Sequence, residues 1–354
     1  MQALVLAGGE GTRLRPLTLT VPKPVLPLCG RPFLCFMLDW LARHGVDDVL
    51  LSCGFMAEEV EEVLGSRYRT RSDGPAAEHR DMRLRYVVED APLGTAGPVK
   101  LAAASGLLAD RLFVLNGDVL TDLDLSALLG WHAASGAAAT LALVAVEDTA
   151  SYGVVPTAAD GRVEAFLEKA AGSSLGGRVN AGAYVLEREA VDRIPSGAPV
   201  SFEREVFPPL AEDGRLYGYP ASDYWIDIGT PERYLEATGA LLEGRLASDL
   251  PPPDQGGSLL YDGASAPEAE VGPLSVLGRR CTVGAGSAIR RSVLFDGVSV
   301  GARCTVEDSV LAEGVRLGDD VRVGPAAVVG SGAEVGSGTM VAPKSRIPPK
   351  ERLP

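Results

Sequence analysis

Three features of this 354-residue sequence predict an α/β domain followed by a parallel β-helix. From residue 1 to about 245, strand-like and helix-like runs alternate, the pattern of a mainly parallel sheet covered by helices on both faces. From 261 to 345, an aliphatic residue recurs at six-residue steps, which describes short parallel strands stacked in coils. Between the two lies a stretch with three consecutive prolines, Pro251, Pro252 and Pro253, and then Gly256 and Gly257, the composition of a linker. The expected division is 1–245, a linker over 246–260, the β-helix over 261–345, and a tail over 346–354 that leaves the stack.

In the first part, strands are expected over 3–6, 48–53, 83–88, 111–115, 139–146 and 180–186. Helices are expected over 33–44, 57–64, 96–104 and 125–134, and a polar exposed loop over 67–81. Sheets of this kind hold ligands outside the carboxyl ends of their strands. In the second part, the aliphatic positions are Val271, Leu277, Val283 and Ile289, then Leu294, Val300 and Val306, then Leu311, Leu317, Val323, Val329, Val335 and Val341. Two steps are shortened to five residues, Ile289 to Leu294 and Val306 to Leu311, and SVLFDGVSVG from Ser292 is echoed by SVLAEGVRLG from Ser309.

The formal charge of −14 disfavours a nucleic-acid backbone or an anionic membrane surface as partner. No apolar run reaches the roughly 18 residues of a membrane span. The first strand begins within two residues of the N-terminus, leaving no room for a signal peptide. The five cysteines, Cys29, Cys35, Cys53, Cys281 and Cys304, show no CxxC spacing and read as reduced, buried thiols of a cytoplasmic protein.

The chemistry is concentrated in LVLAGGEGTRLRPLTLTVPKP, residues 4–24. A buried-strand pattern runs into Gly8, Gly9 and Gly11, with Arg13 and Lys23 close behind. Glycines let backbone N–H groups approach a phosphate, and two cations can neutralise it, so a nucleoside triphosphate is the expected ligand. A dinucleotide loop would need a third glycine opening a helix, whereas Leu14 and Pro16 stand there. A Walker loop would need Gly-Lys-Ser/Thr, whereas Gly11-Thr12-Arg13 lacks the lysine.

Further motifs follow in order: PLGTAGP at 92–98, LNGDV at 115–119, SYGVV at 151–155, FLEK at 166–169, NAGAYVL at 180–186 and WIDIGTPERYL at 225–235. With these the chain resembles the sugar-nucleotide pyrophosphorylases, a nucleotidyltransferase family with a Rossmann-like sheet. It is especially similar to the mannose-1-phosphate guanylyltransferases, which also carry a left-handed β-helix after the catalytic domain. The resemblance implies attack of a sugar 1-phosphate oxygen on the α-phosphorus of a nucleoside triphosphate, with pyrophosphate leaving. Such a nucleophile is already anionic, so positioning, cations and Mg²⁺ are required rather than a catalytic serine, histidine or cysteine.

By that resemblance, Leu6, Ala7, Gly8, Gly9, Gly11 and Thr12 line the nucleotide, and Gly94 and Thr95 border its base. Arg13 stabilises the triphosphate and leaving pyrophosphate, while Lys23 lies on the α-phosphate side. Asp118, at the end of a buried strand, and Asp227 hold Mg²⁺; Asp223 is a neighbouring alternative, and Asp122 and Asp124 are read as caps of the next helix. Gly153, Glu168, Lys169 and Asn180 take the sugar phosphate, although the usual EKP is here EKA, with Ala170 in place of proline. GTP and mannose 1-phosphate are the expected pair. The alternatives are glucose 1-phosphate or a cyclitol phosphate with ATP, UTP or dTTP, or a non-catalytic regulatory subunit that binds a nucleotide sugar. His44, His79 and His132 all precede the β-helix, which argues against histidine-dependent acyl transfer there and for an assembly role in a homo-oligomer.

Overall fold

Strand β1, Gln2–Leu6, buries Ala3, Leu4 and Val5 completely, with none of the alternation of a half-exposed strand. That marks it as central in a parallel sheet. The computed structural model describes residues 1–70, 80–147, 152–166 and 176–354. They form two compact units: Met1–Gly9 with Met37–Trp225, and Glu10–Phe36 with Ile226–Pro354.

The first unit contains an eight-stranded sheet. After β1 come β2 (Asp48–Cys53), β3 (Arg67–Arg69), β4 (Asp81–Val88), β5 (Arg111–Asn116), β6 (Ala139–Val146), β7 (Gly177–Glu187) and β8 (Leu216–Ala221). Their spatial order is β8-β6-β7-β5-β1-β2-β4-β3. β1 pairs in parallel with β2 and β5, β2 with β4, and β6 with β8; β7 is antiparallel to both its neighbours, and β3 to β4. The sheet is therefore mixed and mainly parallel, as the alternation of elements requires. Its core joins Leu4, Leu50, Val114, Leu141 and Tyr184. The loop expected over 67–81 is in part a strand: Arg67–Arg69 pairs with β4 through Tyr68↔Met82, because the fully buried Met82 beside it gives this edge an apolar side. Residues 71–79 lie outside the described residues.

His132, on the helix Leu125–Ser135, is 1 % exposed. Its Nδ1 lies 2.8 Å from the Thr140 hydroxyl and its Nε2 3.0 Å from Glu187 Oε1. Burial pushes its pKa below the ordinary 6.5, against the opposing pull of Glu187, and burial does the same to His44. Acid therefore protonates the unfolded chain first. This part of the stability is complete above about pH 6.5 and declines as pH falls toward the folded values. Denaturant unfolding at pH 7.5 and 5.5 should show that decline, and His132→Gln should flatten it.

The second unit contains the stack. Its three sheets are wholly parallel, as a left-handed β-helix requires, and start at Leu259–Leu260, Glu270–Val271 and Thr282–Val283. The recurring aliphatics from Leu277 to Val341 form one buried column of core. Pairings such as Val293↔Val310 and Val310↔Val328 fix a coil at 17 or 18 residues. The two shortened steps follow the three-residue strands Ala288–Arg290 and Thr305–Glu307, where Arg291 and Asp308, each with positive φ, turn the chain sharply. Ser258, Ser275, Ser292 and Ser309 repeat at 17 and are wholly buried at one corner, where the Ser309 N–H donates to Ser292 Oγ at 3.1 Å.

Both ends of the stack extend further than the sequence reading allowed. Leu259–Leu260, inside the stretch read as linker, pairs with Val276–Leu277. The residues read as a departing tail also stay: Arg346–Ile347 pairs with Val328–Val329, and Arg352–Leu353 with Glu334–Val335. Ile347 and Leu353 simply continue the six-residue register beyond Val341.

One outer face of the stack is apolar. Val276, Val293, Val310 and Val328 are the outward residues of their strands yet at most 2 % exposed. Leu17, Val21 and Pro27 approach Val276 and Val293 around a cavity of about 140 Å³. The Tyr261 hydroxyl donates to the Cys29 carbonyl, the Tyr234 hydroxyl donates to that of Pro27, and the hydroxyls of Thr20 and Ser331 lie 3.2 Å apart.

Candidate active site

In the first unit, β1, β2, β4 and β5 end together, and their backbone ladder continues into the loops. The Ala7 N–H donates to Ser52 O at 2.8 Å, Gly117 N–H to Leu6 O at 2.8 Å, and Glu89 N–H to Cys53 O at 2.9 Å. Leu6 and Ala7 thus finish the strand, and the more open Gly8 and Gly9 follow it. Glu89 stands beside them and was missed in the sequence reading. Its Oε1 accepts from Ser52 Oγ (2.6 Å), its Oε2 accepts from the Leu93 N–H (3.0 Å), and Oε1 lies 2.8 Å from where a Cβ on Gly8 would stand. The available signal was an acid directly after a half-buried strand. Cys53 is fully buried, and burial pushes its thiol up to about 12.

The turn carrying Gly94 and Thr95 is held by backbone bonds from Val200 N–H to Leu93 O (2.8 Å) and from Ala96 N–H to Val200 O (2.9 Å). The helix it leads into runs Gly97–Ala104, with Ala96 as its cap. Asp118 is half-buried in the turn after β5. Asp124 caps the helix from Leu125, accepting from Ser126 and Ala127 N–H at 2.9 Å each. Asp122 does not cap it and instead accepts from the Tyr224 N–H at 2.8 Å. Burial and the nearby Asp122 and Asp124 raise the pKa of Asp223. Asn180 lies on β7, and exposed Gly153 precedes Val154, which bridges to Val179. Glu168 and Lys169 lie outside the described residues.

In the second unit, the signature segment is tied into a knot. Gly11 has φ +61°, and its carbonyl accepts from Thr18 Oγ1 at 2.8 Å. A Cβ there would stand 2.9 Å from Thr18 Cγ2 and 3.3 Å from Lys23 Cβ, so only glycine fits both the conformation and the space. Thr12 and Arg13 are exposed on the short turn Thr12–Leu14. The Arg13 guanidinium lies against Gly229, where a Cβ would approach Nη2 to 2.7 Å. Gly229 therefore seats Arg13 beside the WIDIG motif, whose Asp227 ends the short strand Trp225–Asp227. Thr18 was also missed; a lone buried threonine carries no signal in sequence. Thr18→Val keeps the volume and removes the bond, and should cost about 1 kcal/mol of stability and raise the KM for nucleotide severalfold, with Thr18→Ser near wild type. Thermal unfolding and steady-state kinetics check both effects.

The nucleotidyl transferase family model matches residues 2–244, well over half of the chain. The chain belongs to the nucleotidyl transferase family. A second model, the GMPPB C-terminal domain, matches residues 262–352 of this nucleotidyl transferase. A mannose-1-phosphate guanylyltransferase of Mycobacterium tuberculosis is 42 % identical over 310 residues, covering 87 % of this chain and 83 % of the relative. A mannose-1-phosphate guanylyltransferase catalytic subunit beta of Danio rerio is 35 % identical, covering 86 % and 81 %. Among solved structures, HddC from Yersinia pseudotuberculosis aligns with a TM-score of 0.55 at 29 % identity, over 67 % of this chain and 97 % of that one; a structure of it complexed with GMP-PN gives 0.54.

Nucleotidyl transferases of this family use a divalent metal. Carboxylates such as Asp118 in the first unit and Asp227 in the second are each the kind of oxygen donor that a hard divalent cation takes alongside substrate phosphates. Among the described residues, no three His, Cys, Asp or Glu side chains gather as a metal cage. No helix among the described residues is long and apolar enough to cross a membrane.

Proposed function

We propose that this chain transfers the guanylyl group of GTP to mannose 1-phosphate, releasing pyrophosphate and forming GDP-mannose, with Mg²⁺ as the metal. The observation that carries this reading is the knot of Gly11, Thr18 and Lys23 together with Arg13 seated on Gly229. It occurs in a chain whose 42 % identical relative bears the name of that activity. Two cations on a braced glycine turn suit a triphosphate and a leaving pyrophosphate.

In this reading Leu6, Ala7, Gly8, Gly9, Gly11 and Thr12 receive the nucleotide through backbone and hydroxyl groups, and Gly94 and Thr95 border its base. Arg13 takes the charge of the leaving pyrophosphate and Lys23 that of the α-phosphate. Gly153, Glu168, Lys169 and Asn180 orient the sugar phosphate, whose own oxygen is the nucleophile. Asp118 and Asp227 hold Mg²⁺, which when bound neutralises phosphate charge. No side-chain nucleophile is needed, and Cys29, Cys53 and Cys281 suit that, since burial holds their thiols at about 11 or 12. All five cysteines are buried and free, which fits a cytoplasmic, reducing setting. The β-helix gives the chain a stacking surface for a homo-oligomer.

The test is a matrix of GTP, ATP, UTP and dTTP against mannose, glucose and cyclitol phosphates, read by pyrophosphate release with and without Mg²⁺. GTP with mannose 1-phosphate should exceed every other pair. A higher rate with another pair overturns the substrate assignment, and binding of GDP-mannose without turnover of any pair overturns the enzymatic one.

A further inference from the structure

Two irregularities of the first unit face each other. β7 bulges between Asn180, which pairs with Leu143, and Tyr184, which pairs with Leu141. Four residues of β7 thus span two of its partner, and such bulges re-aim side chains beside active sites. The segment Phe202–Val206 is a π-helical turn running directly into the helix Phe207–Glu212, a distortion often found at functional sites. Glu203 sits in that turn.

Hydrogen bonds connect the two. The Glu203 Oε2 accepts from Thr95 Oγ1 at 3.1 Å and from Ser201 Oγ at 2.8 Å, and Thr95 Oγ1 in turn accepts from the Phe202 N–H at 2.8 Å. The Glu203 carboxylate also acts on the Tyr184 hydroxyl and is the acceptor offered to its proton. A phenol has one proton, and a carboxylate only accepts, so Tyr184 donates to Glu203. Its oxygen is then left to accept, and it accepts from Asn180 Nδ2 at 2.9 Å. The Asn180 Oδ1 accepts from the Gly182 N–H at 2.9 Å. Tyr184 has no freedom to move, being wholly buried, with ring centroids 5.6 Å from Phe202 and 5.2 Å from Phe207.

The chain of donors has one direction. Glu203 orients the phenol, the phenol orients the amide, and the Gly182 N–H fixes the same amide orientation from the other end. Among the described residues, one N–H of the Asn180 amide has no partner and is left to offer. That group recognises an acceptor: a phosphate oxygen or a sugar hydroxyl oxygen.

We infer that Glu203 is a positioning residue which, through Tyr184, presents an N–H of Asn180 to an oxygen of the sugar phosphate and, through Thr95, ties that half of the site to the nucleotide turn. The inference rests on the proposed function, in which Asn180 meets the sugar phosphate and Thr95 borders the nucleotide. It deepens that reading by assigning Glu203 and Tyr184, neither of which touches substrate.

Tyr184→Phe removes one oxygen and keeps the packing. It should raise the KM for mannose 1-phosphate about tenfold while leaving the KM for GTP within about twofold, because only the amide loses its guide. Glu203→Gln should raise both constants, since it also loosens Thr95, and Glu203→Asp should recover less than half of the loss. In the double variant Asn180→Ala/Tyr184→Phe, the second substitution should add nothing, because its effect passes through the amide. A wild-type chain that turns over no pair of substrates overturns the proposed reaction and this inference with it. An active wild type matched by Tyr184→Phe in both constants overturns this inference alone, as does an equal rise in both constants or additivity in the double variant. If Tyr184→Phe does not fold, Asn180→Asp decides: it removes the donor, and an unchanged KM for mannose 1-phosphate rejects the inference.

Discussion

Asp118→Asn should lower turnover by roughly a thousandfold, about 4 kcal/mol of transition-state stabilisation, with little change in melting temperature. The residue sits half-buried in the turn between Arg111–Asn116 and Val119–Thr121, where an amide has the same size and can keep local hydrogen bonds. What it loses is the negative charge that a divalent cation requires. The half-saturating Mg²⁺ concentration should therefore rise along with the fall in rate. Asp122→Asn is the internal control. Its Oδ1 accepts from the Tyr224 N–H at 2.8 Å, a structural bond that an amide oxygen can also accept, so its activity should stay within a few fold of wild type. Comparable losses at Asp118 and Asp122 would show that acidity of the region, rather than a ligand, is being measured. Near-normal rates for Asp118→Asn would remove it from the metal site.

How much of this was legible in sequence depends on whether the information is local. β1 could be read because Ala3, Leu4 and Val5 are all buried and leave an unbroken apolar run. The β-helix could be read because each coil needs an aliphatic at the same corner, and the five-residue steps coincide with the sharp turns at Arg291 and Asp308. The two ends of the stack are less legible because prolines interrupt the pattern there: Pro251–Pro253 run ahead of the first strand, and Pro348 and Pro349 stand in the turn between Arg346–Ile347 and Arg352–Leu353. Between strands of a β-helix every turn lies outside the ladder, so proline is tolerated there. The residues of the candidate site divide the same way. Gly11 and Arg13 lie in a contiguous motif. Thr18, Glu89 and Glu203 are defined by what they hold, namely the Gly11 carbonyl, the Leu93 N–H and the Thr95 hydroxyl, and no spacing rule announces such partners.

Deleting residues 251–354 should abolish turnover, with a loss of at least a hundredfold, and not merely change the size of the particle. The sequence alone suggests only an assembly role for the stack. The second unit gives it another one, because the signature segment Glu10–Phe36 packs with it. Val276, Val293, Val310 and Val328 turn a fully covered apolar outer face toward the segment that carries Leu17, and losing that face exposes the buried Leu17 side chain at a cost of about 1.5 kcal/mol or more. The same deletion removes the Tyr261 hydroxyl from the Cys29 carbonyl and Ser331 from Thr20. Cys29 and Thr20 bracket the turn Lys23–Val25, so Lys23 and the Gly11 knot behind it lose their support. A point substitution separates this effect from oligomerisation. Val293→Asp puts an unpaired charge against the cavity that Leu17 and Val21 also line, while the stack and its other faces remain. It should lower activity and melting temperature together, yet leave the sedimentation coefficient of the remaining folded fraction unchanged. A truncated chain with wild-type kcat, or a Val293→Asp chain that loses only its oligomeric state, would return the stack to assembly alone.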